Sequence, residues 1–292
     1  MRTENAIVIE AWNTVLFEKF CRFQHLIVDN LALHGDELLR RHPPRHGQRV
    51  LDVGCGAGDT TRELARRVGP DGSATGVDCA SNFIELARAG AVREGVSNAR
   101  FAVADVQLEP LGGPYDAAFA RFGTMFFNAP GAALRNVRRS LAPGAVFRSI
   151  VWRRREDNPW LHEAEQRARE IVPVVSHEET KEVHCGPGPF SMAGADLVSD
   201  LLRASGFEQI AFERFDTDLC IGRDLDEAVQ FGLELGPAGE IVRLAGEVGR
   251  ELRPRVERAV REALTPYVRG GAHEGEVWVP SSVWFIRAVN PG

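Results

Sequence analysis

Val50-Leu51-Asp52-Val53-Gly54-Cys55-Gly56-Ala57-Gly58-Asp59-Thr60 runs from a short, largely apolar segment straight into three alternating glycines. Residues 49–53 read as a strand, and glycines directly after a strand let the backbone approach a ligand closely. The helix that follows presents unpaired N–H groups and a partial positive charge, which suits a carboxylate or phosphate. The spacing is not the dinucleotide pattern G-x-G-x-x-G, because its third glycine, counted from Gly54, falls at Asp59. A G-x-x-x-x-G-K-S/T loop occurs nowhere. Thr60 with Glu63 predicts a capping box, and Leu64, Ala65 and Val68 an apolar helical face that stops at Gly69-Pro70.

Outward from this stretch the same unit repeats. A second strand, 74–77, ends in Asp78, and Ser81 is expected to cap a helix carrying Phe83, Ile84, Leu86 and Ala87. A third strand, 100–104, ends in Asp105; a fourth covers 115–120. Pro130 opens a helix with Leu134, Val137 and Leu141 on one face, and Pro143-Gly144 turns into a fifth strand, 145–152. Strands alternating with helices of this length imply crossovers and a parallel α/β sheet, doubly wound and covered on both faces. Ligands of such folds bind beyond the carboxyl ends of the strands, where these glycines and acids stand.

Residues 1–46 are predicted helical and amphipathic: Trp12, Val15, Leu16, Phe20 and Phe23 recur at helical steps, and Leu26, Val28, Leu31 and Leu33 continue the apolar content up to His42-Pro43-Pro44. Beyond the fifth strand come a charged helix at 160–171, a loop rich in Pro, Gly and His, a helix at 195–204 and a strand at 209–215. Helical patterning returns over 224–266, with Ile241, Leu244, Ala245 and Val248 on one face and Leu252, Val256 and Val260 on another, before an apolar strand at 282–289.

The 292 residues, 44% hydrophobic and 26% charged, belong to the globular range and exclude disordered and fibrous classes. A net charge of −6 gives no footprint for a polyanion, so no nucleic-acid partner is expected. The sharpest basic cluster, Arg153-Arg154-Arg155, reads as a solvated strand exit. Cys21, Cys55, Cys79, Cys185 and Cys220 are odd in number and form no C-x-x-C, which points to a reducing compartment rather than a disulfide framework or zinc ribbon. His42, His46, His184 and Cys185 lack metal-ligand spacing, and no metal is expected. With no apolar h-region near the N-terminus and no run of 18 apolar residues, a cytoplasmic protein without membrane insertion is expected.

Asp52 inside the first strand, the three glycines, Asp78 and Asp105 together resemble the class I S-adenosylmethionine-dependent methyltransferases. More narrowly, residues 48–152 are similar to the group that includes the ubiquinone/menaquinone-biosynthesis C-methyltransferases, through Leu51-Asp52-Val53-Gly54-Cys55-Gly56, Gly76-Val77-Asp78, Ala104-Asp105, Arg121-Phe122-Gly123-Thr124-Met125-Phe126-Phe127 and Leu141-Ala142-Pro143-Gly144. A weaker similarity extends through Trp152, Asn158-Pro159-Trp160 and Gly188-Pro189-Phe190. The resemblance implies a Rossmann-like, seven-stranded, mostly parallel sheet whose last strand is antiparallel. It divides the chain into an N-terminal helical lid segment (1–46), a cofactor-binding domain (47–221 with 277–292) and a helical insertion (222–276).

S-adenosylmethionine is the cofactor that the resemblance implies. Gly54, Gly56 and Gly58 are expected against its methionine part, with Cys55 among them also a cofactor-binding residue, Asp52 at its amino group directly or through water, and Asp78 on both ribose hydroxyls. Cys79 is expected to face the adenine, Asp105 or the backbone at Val106 to meet the adenine amino group, and Arg121 to stand beside the sulfonium. Methyl transfer from a sulfonium is an in-line displacement that needs no protein nucleophile. A general base is needed only where the acceptor must lose a proton, and His25, His162, His177 and His184 are the candidates, with a surface role the alternative for each.

Trp12, Phe20, Phe126, Phe127, Trp152, Trp160 and Phe190 are expected around the acceptor, with Trp12, Phe127, Trp152, Trp160 and Phe190 as its binding residues. Such walls suit an apolar or planar molecule, or a cationic amine. Asn158-Pro159-Trp160 follows the fifth strand and lacks a second proline, so it does not match the N-P-P-Y/F/W motif of amide and adenine N-methyltransferases. The expectation is methyl transfer to a small metabolite by a monomer or homodimer. The alternatives are an RNA- or protein-directed methyltransferase, or a cofactor-binding regulatory protein without catalysis.

Overall fold

A computed structural model describes residues 4–173 and 184–292; His177 lies outside them. The chain opens with helices α1 (Glu4–Asn13), α2 (Val15–Arg22) and α3 (Gln24–Arg41). Alternation follows: β1 (Arg49–Val53), α4 (Asp59–Val68), β2 (Ser73–Asp78), α5 (Ser81–Arg93), β3 (Ala99–Val103), β4 (Tyr115–Arg121), α6 (Pro130–Arg139) and β5 (Leu141–Trp152). Then come α7 (Pro159–Ile171), α8 (Ala195–Ala204), β6 (Glu208–Gly222), α9 (Leu225–Leu235), α10 (Pro237–Leu244), α11 (Gly246–Leu264) and β7 (Val277–Val289).

One seven-stranded sheet runs β3-β2-β1-β4-β5-β7-β6. β1 to β5 pair in parallel, and β7 is antiparallel to both β5 and β6, as expected. β1 has β2 on one side and β4 on the other, so the strand order reverses at β1 and a crevice opens beyond its carboxyl end. Val50, Leu51 and Val53 are fully buried, in keeping with a central strand covered on both faces. Among the described residues no helix is long and apolar enough to cross a membrane.

Local signals differ from expectation where a tertiary contact takes over. α4 begins at Gly58, in the left-handed region with φ +74°, and Thr60 lies inside the helix, buried, without a capping bond. Glu63 pairs with Arg67 instead. Ser81 does not cap α5; its hydroxyl donates to Asn13 Oδ1 at 3.0 Å and ties α1 to α5, while Asp78 Oδ1 accepts the Ala80 N–H at 3.0 Å.

Of the arginine triplet only Arg154 is exposed as a solvated strand exit would be. Arg153 is buried, lies 4.1 Å over the Trp284 ring and pairs with Asp157, while Arg155 pairs with buried Glu165. The patterning at 224–266 breaks at Gly236-Pro237 and at Gly246, whose φ is +58°, so Val248 leaves its expected face and is 47% exposed.

The glycine turn carries a stability prediction. A Cβ on Gly58 would stand 2.6 Å from Phe101 Cε1 and 2.7 Å from Ala87 Cβ. Left-handed strain costs about 1–2 kcal/mol and overpacking about 1–3 kcal/mol. Gly58→Ala is expected to lower unfolding stability by about 2–5 kcal/mol in urea titrations; a wild-type midpoint would show that α5 and β3 shift freely.

Candidate active site

A cavity of about 720 Å³ opens beyond the carboxyl ends of β1, β2 and β4 and reaches under α1, α2, α7 and α10. Its floor is the turn after β1. Gly54 and Gly56 hold φ of +70° and +52°, so the backbone between β1 and α4 bends with its peptide groups along the wall. Gly123, after β4, packs against it: a Cβ on Gly54 would lie 3.2 Å from the Gly123 Cα.

Asp78, at the tip of β2, lines this floor. Its Oδ2 accepts the Gly56 N–H and its Oδ1 the Ala80 N–H, both at 3.0 Å. A carboxylate offers about four lone-pair sites, so each oxygen keeps acceptor capacity for a ligand. Burial pushes its pKa up, and the N–H groups of Ala80, Gly56 and Cys79 oppose that shift by favouring the ionised form. Asp105 accepts from Gln107 N at 2.9 Å and from the Asn5 side chain of α1, so the first helix closes over this side. Burial also raises the Cys79 thiol, which lines the same wall as a small neutral group.

Arg121, at the end of β4, pairs with Asp59. Gly35 of α3 lets that side chain pass: a Cβ there would meet Arg121 Cδ at 3.3 Å. Phe122 has φ +59°, rare for a bulky residue, and its ring stacks on Trp152 at 4.5 Å with His34 edge-on at 5.4 Å. Burial, helped by the Arg121 charge, holds His34 down to about 3, so the ring is neutral at ordinary pH.

Of the residues expected at the cofactor, Gly54, Cys55, Gly56, Asp78, Cys79, Asp105, Val106 and Arg121 line the cavity. Asp52 and Gly58 are outside its wall. Asp52 is 1% exposed within β1 and accepts the Thr61 hydroxyl at 2.6 Å, so it braces α4 against the strand instead of reaching a ligand directly. Gly58 packs on Phe101 and Ala87 beneath the turn.

Trp12, Phe127, Trp152, Trp160 and Phe190, expected at the acceptor, all line the cavity, as do Phe20 and Phe126. Trp12 stands edge-on to Phe126 at 4.9 Å, and Phe17 and Phe20 to Phe83 at 5.0 and 4.9 Å.

The expected bases are elsewhere. His25 faces Glu227 at 3.1 Å on the surface, His162 stands on α7 outside the wall, and His184 Nδ1 accepts Gly186 N at 3.1 Å beyond it. Position along the chain brought these histidines near the cavity; the helix faces that His25 and His162 occupy turned them away, and His184 stands in the loop before α8. Asp59, Asn5, Gln107, Glu165 and Arg169 line the cavity without having been expected there, and so does Arg155, whose expected place was a solvated strand exit. The four-residue step from Glu165 to Arg169 is a legible helical ion pair, but its burial against an aromatic wall is not.

Residues 50–144 match the methyltransferase domain family. An O-methyltransferase of Pyrenophora dematioidea is 38% identical over 37% of this chain and 41% of its own. The ubiquinone/menaquinone biosynthesis C-methyltransferase UbiE of Caulobacter vibrioides is 28% identical over 63% of this chain and 77% of its own. The YcgJ protein of Bacillus subtilis superposes with a TM-score of 0.55 over 88% of this chain and 98% of its own, at 17% identity, which speaks for the fold alone. Joined to the glycine turn and the Asp78 cradle, these matches make residues 50–144 a methyltransferase domain and the chain similar to the ubiquinone/menaquinone biosynthesis C-methyltransferases.

Proposed function

We propose that the chain transfers a methyl group from S-adenosylmethionine to a small, apolar or aromatic metabolite. One observation carries this reading: the glycine cradle, Asp78 and Asp105 share a single cavity with Trp12, Phe127, Trp152, Trp160 and Phe190. A donor and a planar acceptor therefore have adjoining places. Curated relatives that act as O- and C-methyltransferases support a small-molecule acceptor.

The residues fit the donor. Gly54, Cys55 and Gly56 give backbone that a chain of atoms can lie against, Asp78 has lone pairs for two hydroxyls, and Asp105 with Val106 flanks the place for a base between α1 and β3. The bound donor supplies an electrophilic methyl group on a positively charged sulfur. The aromatic walls exclude water and hold the acceptor in line, which lowers the barrier by proximity and desolvation. Arg121 is neutralised by Asp59, which keeps an unpaired cation away from the sulfonium. No histidine is assigned a base role. Helices α1 to α3 and α9 to α11 are read as the cover that selects the acceptor.

Incubation with isotopically labelled methyl donor and a metabolite library tests this reading. Label in a small planar product, with stoichiometric S-adenosylhomocysteine, is the expected result. Label confined to RNA or protein, or no transfer by a donor-binding sample, would overturn it.

A further inference from the structure

The acceptor end of the cavity carries a charge imbalance. Glu165, on α7, is buried with its side chain 4% exposed, and each of its oxygens holds one arginine. Arg155 donates through Nη1 to Oε2, and Arg169 through Nη2 at 2.7 Å and Nε at 3.1 Å to Oε1. On the cavity wall two guanidiniums face one carboxylate, 2 − 1, a formal charge of +1, with the Glu156 carboxylate acting on Arg155 from outside the wall. The other cations that line the cavity are matched: Arg121 faces Asp59, and Lys19 donates to the Glu234 carbonyl at 2.8 Å with its carboxylate 3.8 Å away.

A buried carboxylate needs a cation, but one bidentate arginine would serve. Arg155 adds a second. A guanidinium has five N–H donors, and among the described residues Arg155 uses one of them on a protein acceptor. Its guanidinium carbon lies 5.0 Å over the Phe190 ring, a placement that favours a planar partner beside both groups. Arg155, Arg169, Phe190 and Trp160 all line the cavity. They hang from α7 and the segments after β5, not from the strand ends that carry the glycine cradle.

We infer that the methyl acceptor is an aromatic acid whose carboxylate is held by Arg155 and Arg169 as an anchoring handle, with its ring against Phe190 and Trp160. This rests on the methyltransferase reading above. The handle is not the methylated atom; it orients the body of the acceptor so that another group faces the donor. An anion so placed also stands in the same cavity as a cationic donor, which favours their joint binding.

A matched pair of fluorescent dyes provides the test: 1-anilinonaphthalene-8-sulfonate carries an anion that the neutral N-phenyl-1-naphthylamine lacks. Protein loaded with S-adenosylhomocysteine is titrated with each. The anionic dye is expected to bind at least tenfold more tightly than the neutral one. Arg155→Gln and Arg169→Gln should each remove most of that preference while leaving the neutral dye within twofold. Glu165→Gln, which removes the competing carboxylate, should strengthen anionic binding severalfold. This opposite sign separates an anion site from arginines that merely stabilise Glu165. Equal affinities, binding of neither dye, or an anionic preference untouched by all three substitutions overturns the inference. Failure of S-adenosylhomocysteine to bind would instead strike the underlying function.

Discussion

Asp78→Ala is expected to weaken S-adenosylhomocysteine binding at least tenfold in calorimetry. Hydrogen bonds to a charged acceptor contribute about 1.5–3 kcal/mol each, and about 1.4 kcal/mol is a factor of ten. Loss of a single ribose contact therefore reaches the stated threshold, and loss of two exceeds it. The substitution also frees the Gly56 and Ala80 N–H groups that the carboxylate holds at 3.0 Å, so the glycine turn loses a brace as well as a ligand contact. Asp78→Asn distinguishes the two effects, because its amide oxygen can still accept one of these N–H groups. If the asparagine variant keeps the wild-type melting temperature but not the affinity, the carboxylate acts on the ligand. Wild-type affinity in the alanine variant would remove Asp78 from the site.

Asp52→Asn is expected to stabilise the ligand-free protein above neutral pH. Burial pushes the Asp52 carboxyl up to about 7, against the opposing effects of the Thr61 hydrogen bond and the Arg121 charge. In the unfolded chain the group titrates near its ordinary value of about 3.9. A raised folded pKa means that the stabilising contribution is complete below about pH 4 and is lost as pH rises through 7. Three units at about 1.36 kcal/mol each amount to about 4 kcal/mol.

Asparagine keeps the neutral shape without the ionisation, so urea unfolding should show the variant more stable by about 4 kcal/mol at pH 8 and by under about 1 kcal/mol at pH 4.5. His34, held down to about 3, acts with the opposite sign: its contribution is present above about 6.5 and is lost as pH falls toward 3. The two slopes oppose one another between about pH 4 and 6.5, and the variant leaves His34 unopposed. It should therefore lose stability on acidification more steeply than the wild type. Parallel pH profiles would contradict this placement of Asp52.

The sheet was legible because its signals are local. Val50 to Val53 is apolar through a buried parallel strand, and Gly69-Pro70 and Pro143-Gly144 punctuate the repeats. β6 was less so: it runs at the sheet edge, where Glu208, Glu213 and Asp218 alternate with half-buried apolar groups, and only its pairing with β7 extends it to Gly222. The cofactor side was legible because chain order places glycines and acids at adjacent strand ends. The acceptor side was legible in composition alone.

Aromatic residues announced a pocket, but the face of a helix decides which polar group enters it, and that depends on packing between distant segments. Thr60 and Ser81 fail as caps for the same kind of reason: Gly58 takes the cap position of α4, and Asn13 from α1 takes the Ser81 hydroxyl.

Calorimetric titration of the folded protein with S-adenosylmethionine and S-adenosylhomocysteine is the most direct test of the cavity as a methyl-transfer site. One-to-one binding of both, lost together in Asp78→Ala, is the expected result; a folded sample that takes up neither would contradict it.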